Sequence, residues 1–206
     1  MPEPLVVHGP LAQVAARVAA DLLAHDGARL RHSGAVAARA GEAAVVVPAH
    51  QRALLLAAAW LHDIGYAPAL RSSGFHPLDG ARYLRAHGWP EPIPTLVAHH
   101  SGARFVARTR RLEHDLDDFP LTGPALGLSG SEVRALADVL TWADQTTGPD
   151  GQPVSLDERL ADMLHRHGPD SPNARSHHDR EPDLRAAVRR VEDRREAVRS
   201  PLGECS

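Results

Sequence analysis

An uninterrupted apolar stretch, Ala53–Leu61, runs straight into His62-Asp63, and Gly65 follows two residues later. Burying an imidazole and a carboxylate at the end of an apolar helix is costly unless something compensates them. A divalent cation is the natural compensation, because imidazole nitrogen and carboxylate oxygen are its usual ligands. The dyad therefore constrains the fold. Other segments must bring further ligands to the end of this helix, and they must do so by tertiary packing.

The remaining apolar residues repeat at helical spacing. Aromatics make up only 4% of the chain, and alanine and leucine dominate the apolar positions, a balance that favours helix over sheet. Leu11 to His25 reads as an amphipathic helix, and roughly Arg29 to Ala40 as a second one carrying His32. A third begins after Pro48 and ends at His62-Asp63. The fourth starts at His76-Pro77, with proline in the first turn. The fifth follows the Pro90-Pro92-Pro94 series and contains His99 and His100. Gly102 to Leu112 predicts a short arginine-rich helix, and Glu113 to Gly130 a long loop. A helix after Ser129 ends at Asp144, and Ser155 with Glu158 forms a capping box for another. Gly168 to Pro182 reads as a polar loop, and Asp183 to Arg199 as a charged helix with a thin apolar stripe. Ala44 to Val47 is a weak strand candidate. The expected architecture is an all-α bundle: a domain over 8–167 with a charged helical extension over 168–206.

Several function classes are excluded on composition. The net charge is −3 and no basic block exists, which argues against a dedicated nucleic-acid binder. No lysine is present to act as a base or phosphate clamp, and Cys205 is the single cysteine, so no cysteine-rich zinc site forms. The longest apolar run is about half a membrane span. The start, Met1-Pro2-Glu3-Pro4, lacks a basic region followed by an apolar one, so a cytoplasmic location without membrane contact is expected. The oligomeric state is not legible.

The chain has 14 histidines, more than one site can use. Those at helix ends are the ligand candidates: His32, His62, His76, His99 and His100, joined by Asp63 and Asp144. His99 and His100 are neighbours, and neighbours on a helix point about 100° apart. His99 is preferred as the ligand and His100 as the residue facing substrate. Asp144 is preferred to Asp138 because it ends the apolar stripe of its helix. His8, His25, His50, His87, His114, His165, His167, His177 and His178 are expected to face solvent.

Taken in order, Arg31-His32-Ser33, Leu61-His62-Asp63-Ile64-Gly65, His76-Pro77-Leu78-Asp79-Gly80, Ala98-His99-His100 and Ala143-Asp144 resemble the HD-domain superfamily of metal-dependent phosphohydrolases. The resemblance covers about Leu11 to Gly151. It implies that His32, His62, Asp63 and Asp144 hold one divalent metal (Fe, Mn, Co or Mg). His76, His99 and His100 would hold a second, with Asp63 bridging. The His-Pro-x-x-Gly piece and the histidine pair look most like the HD-GYP branch. The chain departs from that branch at Tyr66, where a lysine usually stands, and in lacking Gly-Tyr-Pro after His100, so a cyclic dinucleotide is not the expected substrate.

The reaction implied is hydrolysis of a phosphate ester or nucleotide by metal-activated water. Asp63 would act as the bridging ligand, His100 as a candidate proton donor to the leaving oxygen, and Arg104 as a phosphate-binding group, with Arg39 and Arg71 as alternatives. Two other readings share the ligand set: a mixed-valence di-iron oxygenase of the same superfamily, and a metal-containing nucleotide-binding module without turnover.

Overall fold

The computed structural model of the chain describes residues 11–200. The expected domain start at His8 and the lone Cys205 lie outside the described residues. Among the described residues eleven α-helices follow one another: α1 (Leu11–Leu22), α2 (Gly27–Ala43), α3 (Arg52–Leu61), α4 (His76–Ala86), α5 (Pro92–His99), α6 (Ala103–Arg110), α7 (Glu113–Leu116), α8 (Gly123–Leu126), α9 (Gly130–Gln145), α10 (Leu156–His167) and α11 (Pro172–Arg199). Among the described residues there is no strand, only an isolated antiparallel bridge between Thr147 and Pro153. The weak strand candidate is a 3-10 turn, Ala44–Val46. The expected loop from Glu113 to Gly130 contains two single-turn helices. Among the described residues, no helix is long and apolar enough to cross a membrane.

Helix α3 is the hub. Leu55, Ala57, Ala58, Ala59 and Leu61 have no exposed surface. It packs against α1, α2, α5 and α9. A helix that is apolar on nearly every side is stable only when surrounded, and its alanines let neighbouring backbones come close. The bundle therefore forms around α3, which brings the body of α2 and the ends of α5 and α9 to the point where α3 stops at His62.

The C-terminal segment differs from expectation. Gly168 to Pro182 is not a loop throughout, because α11 begins at Pro172. Ser171 caps it through Ala174 N, and Pro172 occupies the first turn, where a missing N–H costs nothing. The helix docks on α9 and α6. Leu184, Ala187, Val188 and Val191 are buried on one side. Asp138, buried on α9, is clasped by Arg190 through Nε (2.8 Å) and a terminal nitrogen (2.6 Å), and by Arg194 at 3.2 Å. Planar two-point pairing of this kind fixes geometry as well as adding energy. The Arg39 and Arg195 guanidinium groups lie 4.2 and 4.5 Å from the Trp142 ring centroid. Charged as well as apolar side chains hold α11 to the bundle.

Candidate metal centre

Five segments deliver the site. His32 comes from the middle of α2, His62 and Asp63 from the end of α3, His76 from the first residue of α4, His100 from the residue after α5, and Asp144 from the last turn of α9. All are buried except His76, which is partly exposed.

Backbone carbonyls orient three of the rings. His32 Nδ1 donates to Gly148 O at 2.9 Å, His62 Nδ1 to Ala59 O at 2.8 Å, and His100 Nδ1 to Val97 O at 2.6 Å. Assigning the protons from this network leaves each Nε2 as a lone pair aimed inward. A ring nitrogen anchored to a carbonyl while the other points at a shared centre is the usual arrangement of metal-ligating histidine.

Asp63 divides its two oxygens between two histidine pairs. Oδ1 lies 3.3 Å from His76 Nε2 and 3.8 Å from His100 Nε2. Oδ2 lies 3.4 Å from His62 Nε2 and 3.9 Å from His32 Nε2. Two ligand triads result, His32-His62-Asp63 and Asp63-His76-His100, each with its ligand atoms within 4.8 Å of one another. Asp144 joins the first triad, its Oδ1 being 3.1 Å from His32 Nε2 and 3.9 Å from His62 Nε2. Both clusters can coordinate metal ions.

The electrostatics ask for positive charge. Burial alone would raise the Asp63 pKa, but His62 and then Arg29 hold it well below the ordinary carboxylate range. Asp144 is likewise low, against its burial, because of His32 and Arg159. Burial, then the His62 and His76 rings, pushes His100 down to about 3. Burial also lowers His76. His62 is raised despite burial because it faces Asp63. Yet His62 Nε2 is buried without any hydrogen-bond partner. A buried Nε2 left unpaired beside two ionised carboxylates leaves a place that a cation would fill. This donor set of imidazole and carboxylate fits divalent transition metals.

Three expectations need correction. His99 does not join the cluster; its Nε2 meets Phe119 O at 2.7 Å. Helix α5 ends at His99, His100 opens a 3-10 turn, and Ser101 follows at φ 52°, so the inward position falls one residue later than helical continuation suggests. His100, not His99, therefore joins the second triad. Arg104 points away from the centre, with its side chain 61% exposed and paired with Asp183 at 2.9 Å. Of the alternatives, Arg39 bonds Thr146 Oγ1 and Glu42, and Arg71 donates to Tyr66 O from the cavity rim. Asp138, the rival to Asp144, is committed to the α11 arginines.

Sequence reasoning missed the residues that hold the ligands. Arg29 donates to Asp63 Oδ2 at 2.7 Å and stacks over the Tyr66 ring at 4.1 Å. Tyr66 in turn stacks on His76 at 4.0 Å between centroids. Arg159 reaches Asp144 Oδ1 at 3.2 Å. Ser101 Oγ and Gln145 Nε2 both donate to Asp144 Oδ2. Asp79 accepts from Ser72 Oγ, Ser73 N, Ser73 Oγ and Gly74 N, tying down the loop that leads into His76. Its place three residues after His76, behind a Ser-Ser-Gly loop, was the available signal for that role. Gly65 is a packing requirement, because a Cβ there would lie 2.0 Å from His76 O.

The centre forms the floor of a cavity of about 510 Å³. Arg29, Arg71, Arg110, Arg159, Arg166 and Arg180 line it, against the carboxylates of Asp63, Asp79 and Asp144. Such a cationic excess favours an anionic ligand.

The HD domain family matches residues 29–148, more than half of the chain. That span contains every histidine and aspartate of both triads. No curated protein and no solved structure matches the chain.

Proposed function

The chain belongs to the HD domain family, and from that premise we propose that it is a metal-dependent phosphohydrolase acting on a small phosphate ester or nucleotide. The observation that carries this reading is Asp63, whose two oxygens face different histidine pairs at the base of an arginine-lined cavity. In this reading His32, His62, Asp63 and Asp144 hold one divalent cation, and His76, His100 and Asp63 hold the other. A bound pair of cations supplies a polarised phosphoryl oxygen and water ionised at neutral pH.

The chain's own groups do the rest. Ser101 and Gln145 occupy Asp144 Oδ2, which leaves Oδ1 turned inward. Arg29 fixes Asp63 Oδ2 while exposing part of its guanidinium to the cavity. In this reading it would receive phosphoryl oxygens together with Arg159, as fixed donors aimed at developing charge. Tyr66, pushed up to about 12 by burial and then by Asp63, keeps its phenol proton and lines the same wall, ready to donate a hydrogen bond.

The test is phosphate release under anaerobic conditions. Protein loaded with Mn, Fe, Co or Mg is offered a panel of phosphate esters and nucleotides. Release that disappears in Asp63→Ala supports the proposal. Substrate-dependent oxygen uptake by the iron-loaded protein, with no phosphate released, would instead establish oxygenase chemistry. Nucleotide binding without either would leave a binding module.

A further inference from the structure

Arg180 is the one buried arginine of the cavity wall without a carboxylate partner among the described residues. It is 8% exposed and lines the cavity. Its Nε donates to Ser101 O at 2.8 Å, and one terminal nitrogen reaches Asn173 Oδ1 at 3.4 Å. Both acceptors are neutral, and the other terminal nitrogen has no protein partner. Arg29 and Arg159, by contrast, are each paired with a carboxylate of the metal centre. A buried guanidinium stays protonated, and without a counter-charge it is costly. The sequence keeps it there deliberately in one respect: Gly102, at φ +68°, leaves room where a Cβ would come within 3.1 Å of Arg180 Cγ.

A second feature converges on the same space. Ser171, Pro172 and Asn173, the cap and first turn of the 28-residue α11, also line the cavity. The N-terminal end of a long helix carries partial positive charge and favours anions. No acidic side chain comes from this part of the wall. Arg180, Ser171, Pro172 and Asn173 lie beyond the span matched to the HD domain family, which ends at 148.

We propose that Arg180 and the N-terminal turn of α11 form a second anion subsite, which selects substrates bearing a phosphate or carboxylate in addition to the phosphate at the metal centre. The inference rests on the hydrolase reading for the identity of the first phosphate. It makes the C-terminal helix a specificity element. Phosphate and carboxylate share the chemistry Arg180 recognises, so the probes must separate them.

The experiment measures binding by calorimetry to full-length, metal-loaded protein. Glycerol 3-phosphate presents one anion, 3-phosphoglycerate a phosphate and a carboxylate, and fructose 1,6-bisphosphate two phosphates. The two-anion probes should bind about tenfold or more tightly than glycerol 3-phosphate, the gain of one charge-assisted contact. Arg180→Gln should erase that difference, and Arg180→Lys should restore part of it. Asn173→Asp sets a carboxylate against Arg180 and should erase it too, which keeps the test available if Arg180→Gln does not fold. Whichever two-anion probe gains more identifies the second group. The proposal fails if the preference is absent from the unsubstituted protein, or survives both substitutions. It also fails if Arg180→Gln loses metal in parallel with anion binding, because Arg180 would then act only through Ser101. Phosphate release from the same probes is scored separately. Arg180-dependent binding without turnover removes the hydrolase reading alone, and turnover with an Arg180-independent preference removes this inference alone.

Discussion

His32 Nε2 lies 3.1 Å from Asp144 Oδ1 although the proton of His32 is already committed, through Nδ1, to Gly148 O. A neutral ring has one proton for these two acceptors, and a shared cation would take the second place and turn the contact with Asp144 into two ligand bonds. Asp144→Asn is expected to lose the metal of the first triad while the second triad keeps part of its own. Ser101→Ala, which removes one of two donors on Asp144 Oδ2, should weaken metal affinity by about 10–100-fold. Titration of the stripped proteins with Mn or Co measures both, and unchanged affinity in the two variants would detach Asp144 from the site.

Gly65→Ala tests the seat of His76. The new Cβ would overlap His76 O, a backbone atom that cannot yield without moving the start of α4. Strain of this kind costs about 1–3 kcal/mol, occasionally more. A lower urea midpoint should come with impaired binding of the second metal. Loss of stability without loss of metal would show that His76 is not a ligand.

Asp79 gives a pH dependence with a defined sign. Burial alone would raise its pKa, but donors from Ser73 and Ser72 hold it below the ordinary 3.8. A carboxyl depressed in the folded state contributes stability that is fully present above the unfolded value and is lost as pH falls through the folded one. Urea midpoints of the natural protein and Asp79→Asn should therefore draw together as pH falls through the folded value, below about pH 4, with the natural protein ahead at neutral pH. The gap there should be about 1.5–3 kcal/mol, as for hydrogen bonds to a charged group. The variant should also bind the second metal less tightly, because the 72–75 loop leads into His76.

Two arginines separate the site from the surface. Arg29→Ala removes a fixed donor beside Asp63 and should reduce kcat for phosphate release by about 100-fold. Arg104→Ala breaks an exposed pair with Asp183 and a surface contact with the Phe105 ring and should shift stability by less than about 0.5 kcal/mol with turnover unaltered. Equal effects in steady-state assays would contradict the placement of both.

The helical fold was legible because the apolar spacing around Leu55, Ala58 and Leu61, and again around Val133, Leu136 and Leu140, decides both element type and buried face. His62-Asp63, His76 and Asp144 were legible for a related reason, because polar residues at helix ends stand out from the pattern they bound; His32, inside α2, was legible only from its order with the others. What sequence could not show was backbone re-aiming. The backbone leaves helical geometry at His99 (φ −109°, ψ 2°) and His100 (φ −57°, ψ 147°), with Ser101 following at φ 52°, and no local rule requires a break at that point. Arg29, Arg159 and Arg180 were hidden among many arginines, since their meaning lies only in what each one faces. The start of α11 was signalled by Ser171-Pro172 but outweighed by a polar run and by Pro182, which the helix contains.

The most direct measurement is the metal content of the purified protein beside that of Asp63→Ala, by elemental analysis. With Asp63 shared between the two histidine pairs, the natural protein should carry about two transition-metal equivalents per chain, as two-metal sites do, and the variant close to none. A natural protein with little metal, or a variant that retains as much as the natural one, would contradict the shared-carboxylate centre.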